Sequence, residues 1–394
     1  MEKAGALERR NDLDWVRILA VLLLIPFHTA RIFDIFEDFY VKNAVLSAGL
    51  SYVVVEFLNK WQMALLFLIA GASTWYAMRS RSGGQYALER LKRLMIPFVF
   101  GTFIVVPPQM YFALLFRGGT NVSYLRYYPS FFQLRPAGMP DYTGVGFTWG
   151  HLWFILNLFV ISLAALPLLL LLKSKGGQRA TTGLAAFLGR GPWILLLAVP
   201  FPFVRFLLPE IDGKPFFLYL VIFILGFVLM ADPRYGKAME RNRWTALVLA
   251  VLCTTLDYLV KLARVQLADP SAANVVFHLL IGFAGWFWLT AIMGFGQKYL
   301  NVDSRILPYI REAAYPFYVL HQTVIVAIGY FVVRWTAPAL PKFLVIAVAS
   351  LGATIVVYDL VVKRTNLTRF LFGMKSLPRK RRRPRRKSAV AAGV

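Results

Sequence analysis

Long apolar runs dominate the chain and are separated by short charged or Pro/Gly-rich breaks. Each run is near the ~20 residues that an α-helix needs to cross a bilayer. The pattern predicts an all-α polytopic membrane protein with ten transmembrane helices, near residues 14–33, 48–78, 94–116, 150–172, 192–209, 215–231, 244–261, 273–297, 307–333 and 342–362. The second run is long for one span and is interrupted by Glu56 and Lys60, as expected of an interfacial start.

The composition supports a membrane protein, because 58% of the 394 residues are hydrophobic and only 16% are charged. A single cysteine, Cys253, excludes an intramolecular disulfide and a multi-thiolate metal site. The first apolar run lacks a convincing small-residue cleavage site before Asp34, so we interpret it as an uncleaved span.

The distribution of basic residues predicts the orientation. With a cytoplasmic N-terminus, the inner segments carry 31 Lys and Arg residues and the outer segments 10, or 19 against 10 without the C-terminal tail. Both termini are therefore expected in the cytoplasm. The predicted organisation is an N-terminal segment at 1–13, a transmembrane domain at 14–362 and a basic tail at 363–394. The run Arg379–Lys387 has no interleaved aromatics for base stacking, so we expect it to bind anionic headgroups and not nucleic acid.

The first span carries a polar stripe formed by Asp14, Arg17 and His28. In a helix the eleven residues from Arg17 to His28 make about three turns, which leaves the two side chains within about 20° and about 16 Å apart along the axis. Ionisable groups at this depth are costly and usually functional. Asp14 is too far from His28 to orient it and is expected to pair with Arg17.

Two further pairs of polar residues lie at the ends of predicted spans. Arg90 and Arg93 stand at the inner mouth of the third span, as lipid-facing anchors or as a clamp for phosphate. His151 and Trp153 open the fourth span on the outer side, where a tryptophan commonly belongs to the interfacial belt.

Tyr318 and His321 lie near the middle of the ninth span, one helical turn apart. A buried His–Tyr hydrogen bond that orders the bundle and a catalytic role both fit them. The four histidines have no ligand-like spacing, so no metal site is predicted.

Several motifs resemble acyltransferase family 3, a family of integral membrane enzymes that move acyl groups onto sugars and other hydroxyl-bearing acceptors. They are LDWVRILAVLLLIPFHTARIF, FLIAGAST, ALERLKRLMIPFVFG, HLWFILNLFV and YPFYVLHQT, in the family's order over most of residues 12–330. HLWF and YPFYVLHQT are most similar to the branch that succinylates periplasmic glucans. Ala70-Gly71 departs from the Ser-Gly of many members, and Trp153-Phe154-Ile155 without a nearby Glu departs from the pattern of the sugar O-acetylases.

The resemblance implies an acyl-coenzyme A donor on the cytoplasmic side and an acceptor at the outer face. The spacing agrees with this arrangement if the donor's phosphates bind near Arg17, Arg90 and Arg93 and its thioester reaches His28. His28 is then the general base, with a covalent acyl-His intermediate as an alternative to direct transfer.

Other polar residues have candidate roles on the acceptor side. Arg31 is a candidate for polarising the carbonyl or attracting an anionic substrate, or simply for snorkelling to the interface. His151 and Trp153 are candidate acceptor-binding residues, and Tyr318 and His321 are second candidates for orienting the acceptor or relaying its proton.

A transporter or flippase of a lipid-linked or small polar substrate is the competing class, since intramembrane charges also mark transport paths. It predicts inverted repeats and matching broken helices, which we do not find in the sequence. The leading hypothesis is an O-acyltransferase of the bacterial inner membrane that needs no metal. The acyl group, acetyl or succinyl, and the acceptor, a glycan or another hydroxyl compound, remain open.

Overall fold

The computed structural model describes residues 10–119, 121–136, 138–263 and 272–377, and this part of the chain is helical without β-strands. The helices are α1 (Asn11–Arg31), α2 (Ala48–Met78), α3 (Gly83–Phe116), α4 (Gly150–Ala164), α5 (Leu166–Lys173), α6 (Lys175–Leu188), α7 (Pro192–Arg205), α8 (Phe216–Leu229), α9 (Pro233–Arg241), α10 (Arg243–Leu262), α11 (Ala272–Tyr299), α12 (Leu307–Val332), α13 (Ala339–Val362) and α14 (Asn366–Leu371).

Seven of these helices are each long and apolar enough to cross a membrane, namely α1, α2, α3, α10, α11, α12 and α13. Three bent pairs, α4 with α5, α6 with α7 and α8 with α9, bring the number to ten if each pair is one span. The predicted class, an all-α polytopic membrane protein, is confirmed. The predicted basic tail at Arg379–Lys387 lies outside the described residues. We call the end of the bundle at which α1 begins the inner end, after the predicted orientation.

Two helices, α6 and α9, occupy segments that hydropathy alone places between spans. Helix α6 makes an angle of 116° with α7, and α9 makes an angle of 107° with α8. Gly191 permits the first bend with φ = 123°, and Asp232 caps α9 by accepting a hydrogen bond from the Arg234 backbone N–H at 2.9 Å. The Arg234 side chain also bonds this carboxylate, which lowers the pKa of Asp232. Both helices are amphipathic and bury one side, and Leu184 and Phe187 of α6 stay exposed.

Helices α2 and α8 approach unusually closely at two glycines. A Cβ atom on Gly71 would lie 1.9 Å from the carbonyl oxygen of Phe223, and one on Gly226 would lie 2.0 Å from that of Leu68. Small residues allow transmembrane helices to pack backbone against backbone, which lipid-facing apolar side chains alone do not achieve. These two positions therefore fix α8 against α2.

The polar interruption of α2 has a structural explanation in ion pairs with α10. Lys60 pairs with Asp257, which is 2% exposed, and Glu56 pairs with Lys261. Helix α2 contains a π-helical turn at Ser51–Glu56. The charges that interrupt the apolar run thus neutralise one another between two spans, as buried charges must.

Helices α1 and α12 run side by side in the same direction. Near the inner end Arg311 of α12 donates to Asp14 of α1 at 3.1 Å, and further along the ring centroids of His28 and His321 are 5.1 Å apart. Because the two helices are in step, the polar stripe predicted on α1 faces a second polar row on α12.

Candidate active site

A cavity of about 580 Å³ lies at the outer end of the bundle, where α1 ends and α4 begins. Its wall contains five of the residues singled out in the sequence, and they come from three different helices: His28, Arg31, His151, Trp153 and Tyr318. His321 adjoins this wall through its contacts with two of the other imidazoles. His28, Tyr318, His321 and the candidates for binding the acceptor are therefore gathered at one place, whereas Arg17, also a catalytic candidate, lies apart from it.

Three histidines that are scattered in the sequence form a cluster. The His321 ring centroid lies 5.1 Å from that of His28 and 5.2 Å from that of His151. His321 is fully buried and His151 is 5% exposed. The side chain of the fourth histidine, His278, lies outside the described part of the chain.

Backbone carbonyls on α12 hold two of these rings. His321 Nδ1 donates to the Tyr318 carbonyl at 2.6 Å, and His151 Nε2 donates to the Val319 carbonyl at 2.9 Å. A carbonyl only accepts, so these two nitrogens carry the protons and the neutral rings present lone pairs at His321 Nε2 and His151 Nδ1. Neither lone pair has a hydrogen-bond partner in the described residues.

The Tyr318 hydroxyl does not bond His321, unlike the side-chain pair considered from the sequence. It donates to the backbone carbonyl of His151, while the His321 bond goes to the Tyr318 backbone. The separation of one helical turn brings the His321 ring to the carbonyl of residue 318 and not to its side chain. Tyr318 and His151 therefore tie α12 to α4.

His28 differs from the other two imidazoles because the described structure gives it no hydrogen bond. Its Nδ1 is buried and unpartnered, which leaves Nε2 as the nitrogen that faces the cavity. Phe39 stacks on the ring at a centroid distance of 6.0 Å, and Phe27 packs edge-on at 4.9 Å. Aromatic packing thus orients the ring and leaves a nitrogen free for a ligand.

A glycine turn places His151 at the cavity. Gly150 has φ = 51°, and its backbone N–H donates to Thr148 Oγ1 at 3.0 Å. A Cβ atom here would lie 2.6 Å from Gln109 Nε2, so a larger residue would collide with α3. The turn starts α4 with His151 directed towards α12.

Arg31 is bound by carboxylates and does not reach towards lipid. Its guanidinium pairs with Asp34 at 2.9 Å and with Glu37, and its side chain is 12% exposed. Lys42 closes the same loop by donating to the carbonyls of residues 31, 34 and 37, and burial lowers the pKa of Lys42. The charge of Arg31 is therefore largely compensated at the cavity wall.

Trp153 forms part of an aromatic wall of the cavity, in contrast to an isolated belt residue. Its ring lies parallel to that of Tyr219, with centroids 6.1 Å apart, and Lys214 Nζ is 5.3 Å from the Trp153 centroid. Lys214, Tyr219 and Gln322 line the cavity but were not singled out in the sequence. The sequence signal that could have identified Gln322 is its position directly after His321 in YPFYVLHQT.

The three arginines predicted for the donor lie apart from the cavity and have different partners. Arg17 pairs with Asp14 at 2.9 Å, as expected, and Arg93 pairs with Glu89 at 3.1 Å. Arg90 instead donates to Thr74 Oγ1 at 2.7 Å, and its guanidinium lies 4.8 Å from the Tyr86 ring centroid.

No ion pair of Arg90 is recorded among the described residues, so its charge is held by neutral groups. In the sequence Arg90 and Arg93 are equivalent candidates for binding phosphate, whereas in the structure they differ in the charge of their partners.

The described residues contain no group of three or more His, Cys, Asp or Glu side chains arranged to hold a metal ion. The three clustered histidines are not among such groups. What the cluster offers is imidazole lone pairs beside a cavity, which suits proton transfer.

Comparison with known proteins identifies the family of this chain. Residues 10–359 match the acyltransferase domain of acyltransferase family 3. Glucans biosynthesis protein C of Escherichia coli (strain SMS-3-5 / SECEC) is 22% identical over 389 residues, which cover 93% of this chain and 95% of that protein. The protein of the same name from Salmonella heidelberg (strain SL476) is 22% identical over 384 residues, with the same coverage. No solved structure gives a significant match.

The domain match spans nearly all the helices described above, including those that carry the histidine cluster. Its extent agrees with the order of the sequence motifs and with a helical bundle whose polar residues converge on one cavity. The chain therefore belongs to acyltransferase family 3 and is a membrane acyltransferase.

Proposed function

We propose that the protein transfers an acetyl or succinyl group from cytoplasmic acyl-coenzyme A to a hydroxyl of a glycan at the outer face of the bacterial inner membrane. The glycan is suggested by the relatives named for glucan biosynthesis. The observation that carries the proposal is the position of His28, whose free Nε2 faces the cavity while His321 adjoins its ring and His151 adjoins His321. The orientation, with both termini in the cytoplasm, is part of the proposal.

The reaction needs a base at the hydroxyl oxygen, and His28 meets that need. Its Nε2 accepts the hydroxyl proton as the oxygen bonds to the thioester carbonyl carbon. The C–S bond then breaks, coenzyme A leaves as the thiolate, and the thiolate takes the proton from His28. An acyl-His28 intermediate would divide the same transfer into two steps.

His321 acts as the positioning residue for this base. In the neutral state that Nε2 chemistry requires, His28 carries its proton on Nδ1, and the neighbouring His321 ring, with its centroid 5.1 Å away, has an unpartnered Nε2 lone pair available to accept it. The two rings therefore repeat the logic of a base oriented by a third group. The His321 Nδ1 bond to Tyr318 fixes the tautomer that makes this possible.

The donor's nucleotide binds near Arg90 in this proposal. Arg90 lies in the inner part of α3 and has no carboxylate partner among the residues that the structure describes, so a phosphate can bind it without displacing an acid from them. Arg17 and Arg93 already pair with acidic side chains and therefore contribute less to binding the donor. On the acceptor side, Trp153 and Tyr219 offer flat apolar faces to a sugar ring, with His151 and Arg31 as neighbouring polar groups.

The proposal is tested with purified protein reconstituted in vesicles. Free thiol released from acetyl- and succinyl-coenzyme A is measured with and without a periplasmic glucan fraction, for wild type and His28→Ala. Met63→Leu, which alters a cavity-lining residue to which no role is assigned, is the matched control.

We expect the His28→Ala variant to lose acceptor-dependent release while its binding of donor persists, and the control to keep most of its activity. Normal turnover in His28→Ala would refute the role of His28 as general base. A wild-type protein that cleaves neither donor, with any acceptor, would refute acyl-coenzyme A transfer and favour the transport hypothesis.

A further inference from the structure

Tyr315 carries a polar group that the proposed chemistry does not use. Its hydroxyl is buried and has no hydrogen-bond partner in the described part of the chain. Tyrosine hydroxyls that are buried in proteins nearly always find a partner, because an unpaired one forfeits its hydration without compensation. A partner other than the described residues is therefore expected.

Tyr315 lies on α12 on the inner side of the histidine cluster. It precedes Tyr318, which belongs to the cavity wall, by about one helical turn, and it precedes His321 by six residues, or about 9 Å. Arg90 lies on the inner part of α3, so Tyr315 stands at a depth between the inner end of the bundle and the cavity.

The tyrosine ring packs against the core and against the chain that follows α14. A Cβ atom on Gly373, which has φ = 68°, would lie 3.0 Å from Tyr315 Cε1 and 2.9 Å from the Arg93 carbonyl oxygen. The chain after α14 thus closes over α3 and α12 at this level. A fixed ring presents its hydroxyl in one direction, which is what a binding group requires.

We propose that the Tyr315 hydroxyl binds the pantetheine arm of the donor by hydrogen-bonding one of its amide groups. The inference rests on the proposed function, in which the nucleotide binds at Arg90 and the thioester reaches His28. The arm connects these two ends and contains two amides, and a hydroxyl can donate to an amide oxygen or accept from an amide N–H. Tyr315 is thus a specificity residue for donors that carry this arm.

Tyr315→Phe tests the proposal because it removes one oxygen and keeps the ring. Loss of an unpaired buried hydroxyl is expected to leave the unfolding temperature unchanged or slightly higher. Loss of one hydrogen bond to the donor is expected to weaken acetyl-coenzyme A binding roughly three- to tenfold. A merely structural tyrosine would show neither this combination nor its dependence on the ligand.

Two probes separate the arm from the nucleotide. Binding is measured for acetyl-coenzyme A and for adenosine 3′,5′-bisphosphate, which has the nucleotide end without the arm. Tyr315→Phe should weaken the binding of acetyl-coenzyme A and leave the binding of adenosine 3′,5′-bisphosphate unchanged. The control is Tyr235→Phe, which removes a buried hydroxyl that donates to the Thr181 carbonyl at 2.9 Å; it should lower the unfolding temperature and leave both affinities unchanged.

The possible outcomes distinguish a failure of the Tyr315 proposal from a failure of the proposed function. If wild type binds acetyl-coenzyme A and Tyr315→Phe binds it equally well, the role of Tyr315 is refuted while the proposed function stands. Equal weakening of both ligands would also refute it, since the effect would not depend on the arm. If wild type binds no acyl-coenzyme A, the proposed function fails and the inference fails with it.

Discussion

Arg90 and Arg93 lie three residues apart on α3, and the structure predicts that only the first is essential for donor binding. Arg90 is held by Thr74 Oγ1 at 2.7 Å and by the face of Tyr86, both neutral. The Arg93 side chain is 49% exposed and pairs with Glu89. Substitution of each by glutamine is the perturbation, and the two variants serve as controls for one another.

The expected magnitudes follow from these surroundings. A charge-assisted hydrogen bond contributes about 1.5–3 kcal/mol, so Arg90→Gln should weaken acyl-coenzyme A binding roughly 10- to 150-fold. An exposed ion pair contributes about 0–1 kcal/mol, so Arg93→Gln should weaken binding at most about fivefold. The lost bond to Thr74 should cost Arg90→Gln about 1 kcal/mol of folding stability.

The assay is titration calorimetry with acetyl-coenzyme A in detergent, at low and at high salt, beside thermal unfolding of each variant. Wild-type affinity should fall with salt because the contact is ionic, and Arg90→Gln should lose most of that dependence. Equal losses in the two variants would refute the distinction between compensated and uncompensated arginines. A loss in Arg93→Gln alone would place the phosphate on the exposed side of α3.

Three further predictions concern the base, the helix packing and a buried ion pair. His321→Ala should lower kcat roughly 10²-fold with donor affinity retained, and an unchanged kcat would remove its positioning role. Gly71→Ala should cost about 1–3 kcal/mol or more in unfolding measurements, whereas Gly352→Ala, with nothing within 4 Å, should be neutral or stabilising. Asp257→Asn should lower the free energy of unfolding by about 3–5 kcal/mol, because it leaves Lys60 unpaired. The double change Lys60→Met/Asp257→Leu should recover most of that stability. An Asp257→Asn variant as stable as wild type would contradict the pairing.

Local features of the chain were predictable because they depend on residues close in sequence. The apolar runs define the spans through their length, and helical spacing places Arg17 and His28 on one face of α1. The pairing of Asp14 with Arg17 follows from a separation of three residues. The motifs likewise identified the family, since each lies within a single span or at its end.

The meeting of residues from different spans was not predictable from the sequence. His28, His151 and His321 belong to α1, α4 and α12, and nothing in their spacing indicates a cluster. Trp153 has the sequence context of a belt residue, yet it lines the cavity with Tyr219. Arg90 and Arg93 look equivalent in the sequence and differ only through Thr74 and the acids around them.

The sequence by itself therefore determined the class of fold, the seven long apolar helices and the polar face of α1, because hydropathy and helical period are local properties. Only the tertiary structure decided which polar faces meet. The rotation and depth of each helix depend on close contacts between spans, such as those at Gly71 and Gly226. A rotation of about 100°, one residue of helix, would turn His28 away from His321, so the site exists only once packing has fixed these angles.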